Sequence, residues 1–250
     1  MDKLQLYFGD DVTINEHIRL HQPTLNDVIQ LGEENYFSMV HTLTMVPSDM
    51  KPFLFDELHL YWEDVDEFEL FLQILLPQTD PKNLRIFFPD IDFEQFHIGH
   101  NTQSDEPILI QPDKHIILDR LAYIKIMEVL RTIHNIVPVR HKAATKTVRD
   151  ILIDDDRRIQ ERNKAEYKKN GYSSTLFPLV STLVNCADCK YGLQEIRSMP
   201  MFAFMDAVSR IQVIRNTTAL LHGCYSGMID ISKIKKEELN FMREIKFKKS

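Results

Sequence analysis

Glycine is scarce in this 250-residue chain: 7 residues, or about 3% where soluble proteins use about 7%. Phosphate-cradling loops and strained turns draw on glycine, so this poverty argues against a nucleotide-dependent enzyme. Cysteine is nearly as rare. Three residues (Cys186, Cys189, Cys224) are too few, and odd in number, for a disulfide framework and read as reduced thiols. No apolar run approaches the roughly 20 residues that span a bilayer. The start, interrupted by Asp10 and Asp11, lacks a signal-peptide core, so a cytosolic site of synthesis is expected. Catalytic signatures are missing too: the chain has no Gly-x-Ser-x-Gly elbow, Walker loop or dinucleotide fingerprint.

What is present is a folded composition, 44% hydrophobic and 27% charged, with its charges sorted by position. Residues 1–118 hold 22 Asp and Glu against 6 Lys and Arg, a balance of −16; residues 119–250 hold 15 against 24, a balance of +9. A split of this kind speaks of fields and partners, since one surface repels what the other attracts. It also divides the reading of the chain. Residues 1–118 form an acidic α+β region, with a small antiparallel insert at about 84–118. Residues 119–250 form a basic helical region.

Lys3–Phe8 and Thr13–Leu20 both alternate apolar with polar residues around Gly9-Asp10-Asp11, which predicts a β-hairpin. Thr24 then caps a helix carrying Val28, Leu31, Phe37 and Val40. Pro47 ends it, and a short helix follows over 49–57. Glu63 to Leu76 reads as a helix with an acidic first turn, which suits the helix dipole. Leu84–Phe88, Ile108–Ile110 and His115–Leu118 are the β-prone runs of the insert, with Gly99 to Glu106 as its loop. Asp119 caps a helix to about Asn135. A long charged helix covers 143–168, thin in apolar residues beyond Val148, Ile151, Leu152 and Ile159. A helix polar nearly all round projects into solvent or meets a partner. The chain hinges near 170–173, at Asn170-Gly171. Further helices follow: one capped by Ser174, others at 191–199 and 200–222, and a last one over 232–246. The fold class is α+β, predominantly α-helical, with a C-terminal helical bundle.

Each chemical constellation has a bland counterpart. Cys186-Ala-Asp-Cys189 has metal-ligand spacing, but a structural zinc needs four ligands, and His97 and His100 lie almost 90 residues away. Asp64/Asp66 and Asp90/Asp92 lack the Gly turn and third acid of a cation loop. A metal-dependent hydrolase built on Asp90, Asp92, His97 and His100 is the weakest alternative. Lys142, Lys146, Arg149, Arg157, Arg158 and Arg162 could track phosphates, yet Asp150 and Asp154 to Asp156 interrupt them, and the pI of 5.8 is low for a nucleic-acid binder. The residues therefore point to binding without a cofactor, metal, nucleic acid or membrane. The candidate contact surface is Ile151, Arg158 and Ile159 of the charged helix together with Met201, Phe204 and Met205, because methionine-rich faces adapt to apolar partners. An internal helix–helix core is the competing explanation for 199–205.

Several stretches carry a family likeness: Leu6-Tyr7-Phe8-Gly9, His21-Gln22-Pro23-Thr24, Val46-Pro47-Ser48-Asp49-Met50-Lys51, Ala203 to Gln212 and Gly223 to Asp230. Through them the chain resembles uncharacterised tail-morphogenesis-module proteins of phages and prophages of Gram-positive bacteria. That resemblance implies a non-enzymatic tail assembly protein, chaperone-like, binding the tape-measure or another tail protein. A structural virion component (tail completion or baseplate) is the alternative. It transfers no active-site residue.

Overall fold

The computed structural model describes residues 2–101 and 105–245. The chain opens not with a strand but with helix α1 (Lys3–Phe8). The Asp2 carboxylate accepts from the Leu4 amide at 2.8 Å. Gly9 closes the helix at φ 80°, its amide donating to the Gln5 and Leu6 carbonyls, as a left-handed C-cap does. The expected hairpin shrinks to β1 (Val12–Thr13) against β2 (Arg19–Leu20). Alternation over six residues did not separate a short helix from a strand, and the Asp and Gly caps decided it.

Thr24 caps α2 (Leu25–Leu31) in a reciprocal box with Asp27, as expected. Gly32, at φ 91°, then breaks the chain before α3 (Glu33–Thr44), so one expected helix is two. A 3-10 turn at Pro47–Asp49 leads into α4 (Lys51–Asp56). The acidic run does not begin a helix at Glu63. Trp62–Asp64 is a 3-10 turn, and Asp66 caps α5 (Glu67–Leu70), which runs on into a π-helical turn at Phe71–Leu75.

In the insert, 84–88 is not a strand. Asn83–Ile86 is a 3-10 turn, and Leu84, Phe87 and Phe88 are all buried in the core. The third strand is β3 (His97–His100), within the expected loop region, pairing antiparallel with β4 (Pro107–Gln111), which in turn pairs β5 (Ile116–Leu118). Residues 102–104 of the expected 99–106 loop lie outside the described residues.

The second half is helical as read. It holds α6 (Arg120–Ile133, capped by Asp119), α7 (Lys146–Asn170), α8 (Leu176–Val184), α9 (Leu193–Arg197) and α10 (Met201–Tyr225). The expected last helix over 232–246 is instead two 3-10 turns, Ile231–Lys233 and Lys236–Leu239. Asp230 and Asn240 accept amides two residues on, local bonds that compete with helix formation. Lys246 and beyond lie outside the described residues. The predominantly helical α+β class stands. No described helix is long and apolar enough to cross a membrane.

One hydrophobic cluster runs from Leu6 in α1 through Tyr36, Phe68 and Phe87 to Ile133, Ile153, Phe204 and Val208. It therefore draws on both charge halves. The halves also neutralise each other at their junction. Arg120 binds Asp66 and Glu106, each at 2.8 Å. Arg149 reaches Glu63 at 2.6 Å, Arg140 holds Glu67, and Arg157 holds Asp56. Part of the acid–base sorting is thus spent on internal pairing, through five carboxylates of the first half. Glu63 sits below the usual carboxylate range, chiefly because the Ala143 amide donates to it, with Arg149 beside it. At Asp66 burial works against ionisation, but Arg120 and the Glu69 and Phe68 amides still hold the carboxyl low.

Candidate functional site

Of the six expected contact residues, the structure brings three to the surface. Ile151 and Ile159 are exposed on α7, and the Arg158 side chain is largely in solvent, 3.5 Å from Asp155. Met201 and Phe204 are 0% exposed, and Met205 packs half-buried against the same core. The Met/Phe stripe is internal packing, so Met201 and Phe204 are not contact residues. Its docking explains why. Buried Gln22 donates from Nε2 to the Leu6 carbonyl at 2.7 Å and accepts the Phe202 amide at 2.9 Å. The Leu25 amide donates to the Met199 carbonyl and the Met201 amide to the Pro23 carbonyl. A Cβ on Gly9 would come within 2.7 Å of the Pro200 ring. The start of α10 is clamped by the N-terminal segment.

Helix α7 is held differently. Among its described residues only Ile153 is buried, so polar contacts align the helix. Lys51, 3% exposed, donates from Nζ to the Ser48 carbonyl at 2.6 Å and to Asp156 at 2.7 Å, and lies 5.7 Å from the centre of the Trp62 ring. Trp62 Nε1 donates to the His141 carbonyl, and Glu63 accepts both the Ala143 amide and Arg149. At the far end Tyr167 donates to Glu34 at 2.6 Å. Val148, Ile151 and Ile159 remain exposed. At 100° per residue they lie within about 80° of one another and well away from Ile153.

The larger unburied apolar surface is one that sequence reasoning missed. Beyond Ile211, α10 leaves the common core. Val213, Ile214, Leu220 and Leu221 stay partly exposed, and the buried residue of that half is polar Thr217, whose Oγ1 donates to the Glu238 carbonyl at 3.0 Å. Tyr225 (82% exposed), Met228 (87%), Ile231, Phe241 and Met242 (75%) are exposed at the helix end and in the segment after it. Phe177 and Leu193 are exposed on neighbouring α8 and α9. The signal lay in the composition of 211–225, apolar on more faces than one neighbour can cover.

The chemical constellations do not converge. Asp92 caps the 3-10 turn at Phe93–Gln95 and lies 3.8 Å from Arg85. The His100 ring faces the Asp105 carbonyl at 3.4 Å. No group of three or more His, Cys, Asp or Glu among the described residues is placed to hold a metal. Cys186, Cys189 and Cys224 are free thiols. A polar cavity of about 730 Å³ lies between α7 and the 135–141 segment, lined by Lys51, Ser48, Asp49, His141 and Asp156. Several of its groups are engaged in the fold: Ser48 Oγ accepts the His141 amide, Asp49 accepts the Val46 amide, and Lys51 pairs with Asp156.

Deeper in, the buried Tyr36 hydroxyl lies 2.6 Å from His134 Nε2, and His134 Nδ1 lies 2.7 Å from the Leu130 carbonyl. A neutral imidazole satisfies both bonds by donating from Nδ1 to the Leu130 carbonyl and accepting the tyrosine proton at Nε2. Burial pushes the imidazole down to about 4, with the Leu130 carbonyl opposing. Both groups are neutral, structural partners.

Compared with known proteins, the chain matches no family model, no curated protein and no solved structure.

Proposed function

We propose that this protein acts by contact, as a non-enzymatic phage tail assembly protein. It is a chaperone-like binder, without cofactor, of the tape-measure or another tail protein in the host cytoplasm. The observation that carries the reading is the second half of α10 with the segment after it. There a folded chain leaves Tyr225, Met228, Ile231, Phe241 and Met242 in water. Large apolar side chains left in water along one helix and the segment after it are candidates for interaction sites, and methionine among them suits an adaptable partner. Val148, Ile151 and Ile159 of α7 add a second strip. The partner's apolar stripe would lie on these surfaces until tube subunits replace them.

Co-expression with the tape-measure protein of the same tail module tests the reading. Expected are higher tape-measure solubility and co-purification; the absence of both would refute it. Mass spectrometry of mature particles should find the protein absent. Its presence in stoichiometric amount would replace the chaperone with a structural virion component.

A further inference from the structure

A second cavity, of about 670 Å³, opens between α1, the end of α6 and the start of α10. That volume falls in the range of small-ligand sites, about 300–1,000 Å³. Leu4, Tyr7, Ile136, Val137 and Phe202 supply apolar wall. The polar groups around it are unequally committed. Each lining cation is engaged. Lys3 pairs with Glu244. Arg131 donates from Nη2 to the Thr44 carbonyl at 3.1 Å and lies 3.9 Å from Glu67, while its Nε is enclosed by protein atoms, out of a ligand's reach. Arg210 donates from Nη1 to the Phe241 and Arg243 carbonyls at 3.0 and 2.7 Å. Two lining carboxylates are not engaged in this way. Glu128 is exposed and accepts no hydrogen bond through its side chain among the described residues. Asp206, half-buried, has Arg210 Nη2 only at 3.8 Å, too long for a hydrogen bond.

We infer that this cavity takes a cationic group on an apolar stem, an alkylammonium, with Asp206 receiving the charge, Glu128 at the rim and Leu4, Tyr7 and Phe202 enclosing the stem. The charged groups with hydrogen-bonding capacity left over are these two carboxylates, Asp206 held only by its long ion pair to Arg210, so a cation completes them and an anion meets like charge. The same chemistry has two sources, a small aliphatic amine or a lysine side chain of an apolar polypeptide segment. The inference stands apart from the tail-assembly reading, because binding of a small amine alone would leave it intact.

Calorimetric titration of the full-length protein with n-hexylammonium, n-hexanol and hexanoate tests it without any variant. The ammonium is expected to bind about tenfold or more tighter than the alcohol, and the carboxylate weakest. Equal binding of ammonium and alcohol, or tighter binding of hexanoate, would overturn it. In D206N, checked by its thermal transition, ammonium affinity should fall to that of the alcohol; unchanged affinity in a folded variant also overturns it. A leucine-rich peptide bearing one lysine, set against its norleucine counterpart, separates the sources. An Asp206-dependent preference for lysine assigns the site to polypeptides, and hexylammonium binding without that preference assigns it to small amines.

Discussion

The two halves of α10 differ in apolar content, 8 of 11 residues in 201–211 against 7 of 14 in 212–225, and they differ in fate. From Met201 to Ile211 the helix buries Met201, Ala203, Phe204 and Val208 and rests Phe202, Met205 and Ile211 on the core. From residue 212 onward its buried residue is a threonine tied to the Glu238 carbonyl. Composition contributes to the difference, and so does the partner surface: the N-terminal segment clamps the first half, whereas the second is tied by the Thr217–Glu238 bond, the Arg215–Asp188 pair and Ile229 against Gly223. Exposed apolar residues on the second half are therefore the ones free to meet another chain. The methionines of the first half are already spent on the core.

The contrast breaks most readily by truncation. Phe204→Ala should cost about 3–5 kcal/mol, as a large buried aromatic does, read by urea denaturation. Breaking the buried Lys51–Asp156 pair with Lys51→Met should cost on the order of 3 kcal/mol, because Asp156 and the Ser48 carbonyl lose their donor. Its signature is early loss of α7 protection in hydrogen exchange. A pH effect comes next. The folded His134 value of about 4 lies below its ordinary 6.5, so the unfolded state binds more protons between those values. Stability is full above 6.5 and falls as pH drops toward 4, by up to about 3 kcal/mol. The Asp and Glu groups held low, such as Glu63 and Asp66, add loss only below their ordinary range. In His134→Gln the slope between pH 6.5 and 5 should vanish. Smallest of all, Ile214→Ala and Leu221→Ala should each cost less than about 1 kcal/mol, since little of their burial is complete. A cost equal to that of Phe204→Ala would erase the distinction between the halves.

Much of this was legible in residue order. Thr24 and Asp119 cap the helices they were expected to cap, because an N-cap is a local contract between one side chain and the next turn. Ser174 also contributes, its Oγ accepting the Phe177 amide, but Glu33 from α3 caps the same turn through the Thr175 and Leu176 amides, which sequence could not announce. Lys3–Phe8 alternated like a strand and folded as a helix because Asp2 and Gly9 bracket it. Leu84–Phe88 looked like a strand because a short apolar run does not separate strand from helical turn; its buried residues, Leu84, Phe87 and Phe88, fall at helical spacing with Arg85 exposed between them. His97–His100, with a glycine and two histidines, looked like loop and became an edge strand through its register with Pro107–Ile110. The candidate site was half legible: exposed Ile151, Arg158 and Ile159 followed from the polarity of α7. The fate of Met201 and Phe204 depended on a clamp built by residues about 180 positions earlier.

The most direct measurement is co-purification of the tape-measure protein with a chain carrying both Leu221→Glu and Tyr225→Glu. With a thermal transition close to that of the unaltered protein and the complex lost, the second half of α10 is the gripping surface. A folded variant that still carries the tape-measure protein at full yield would contradict it.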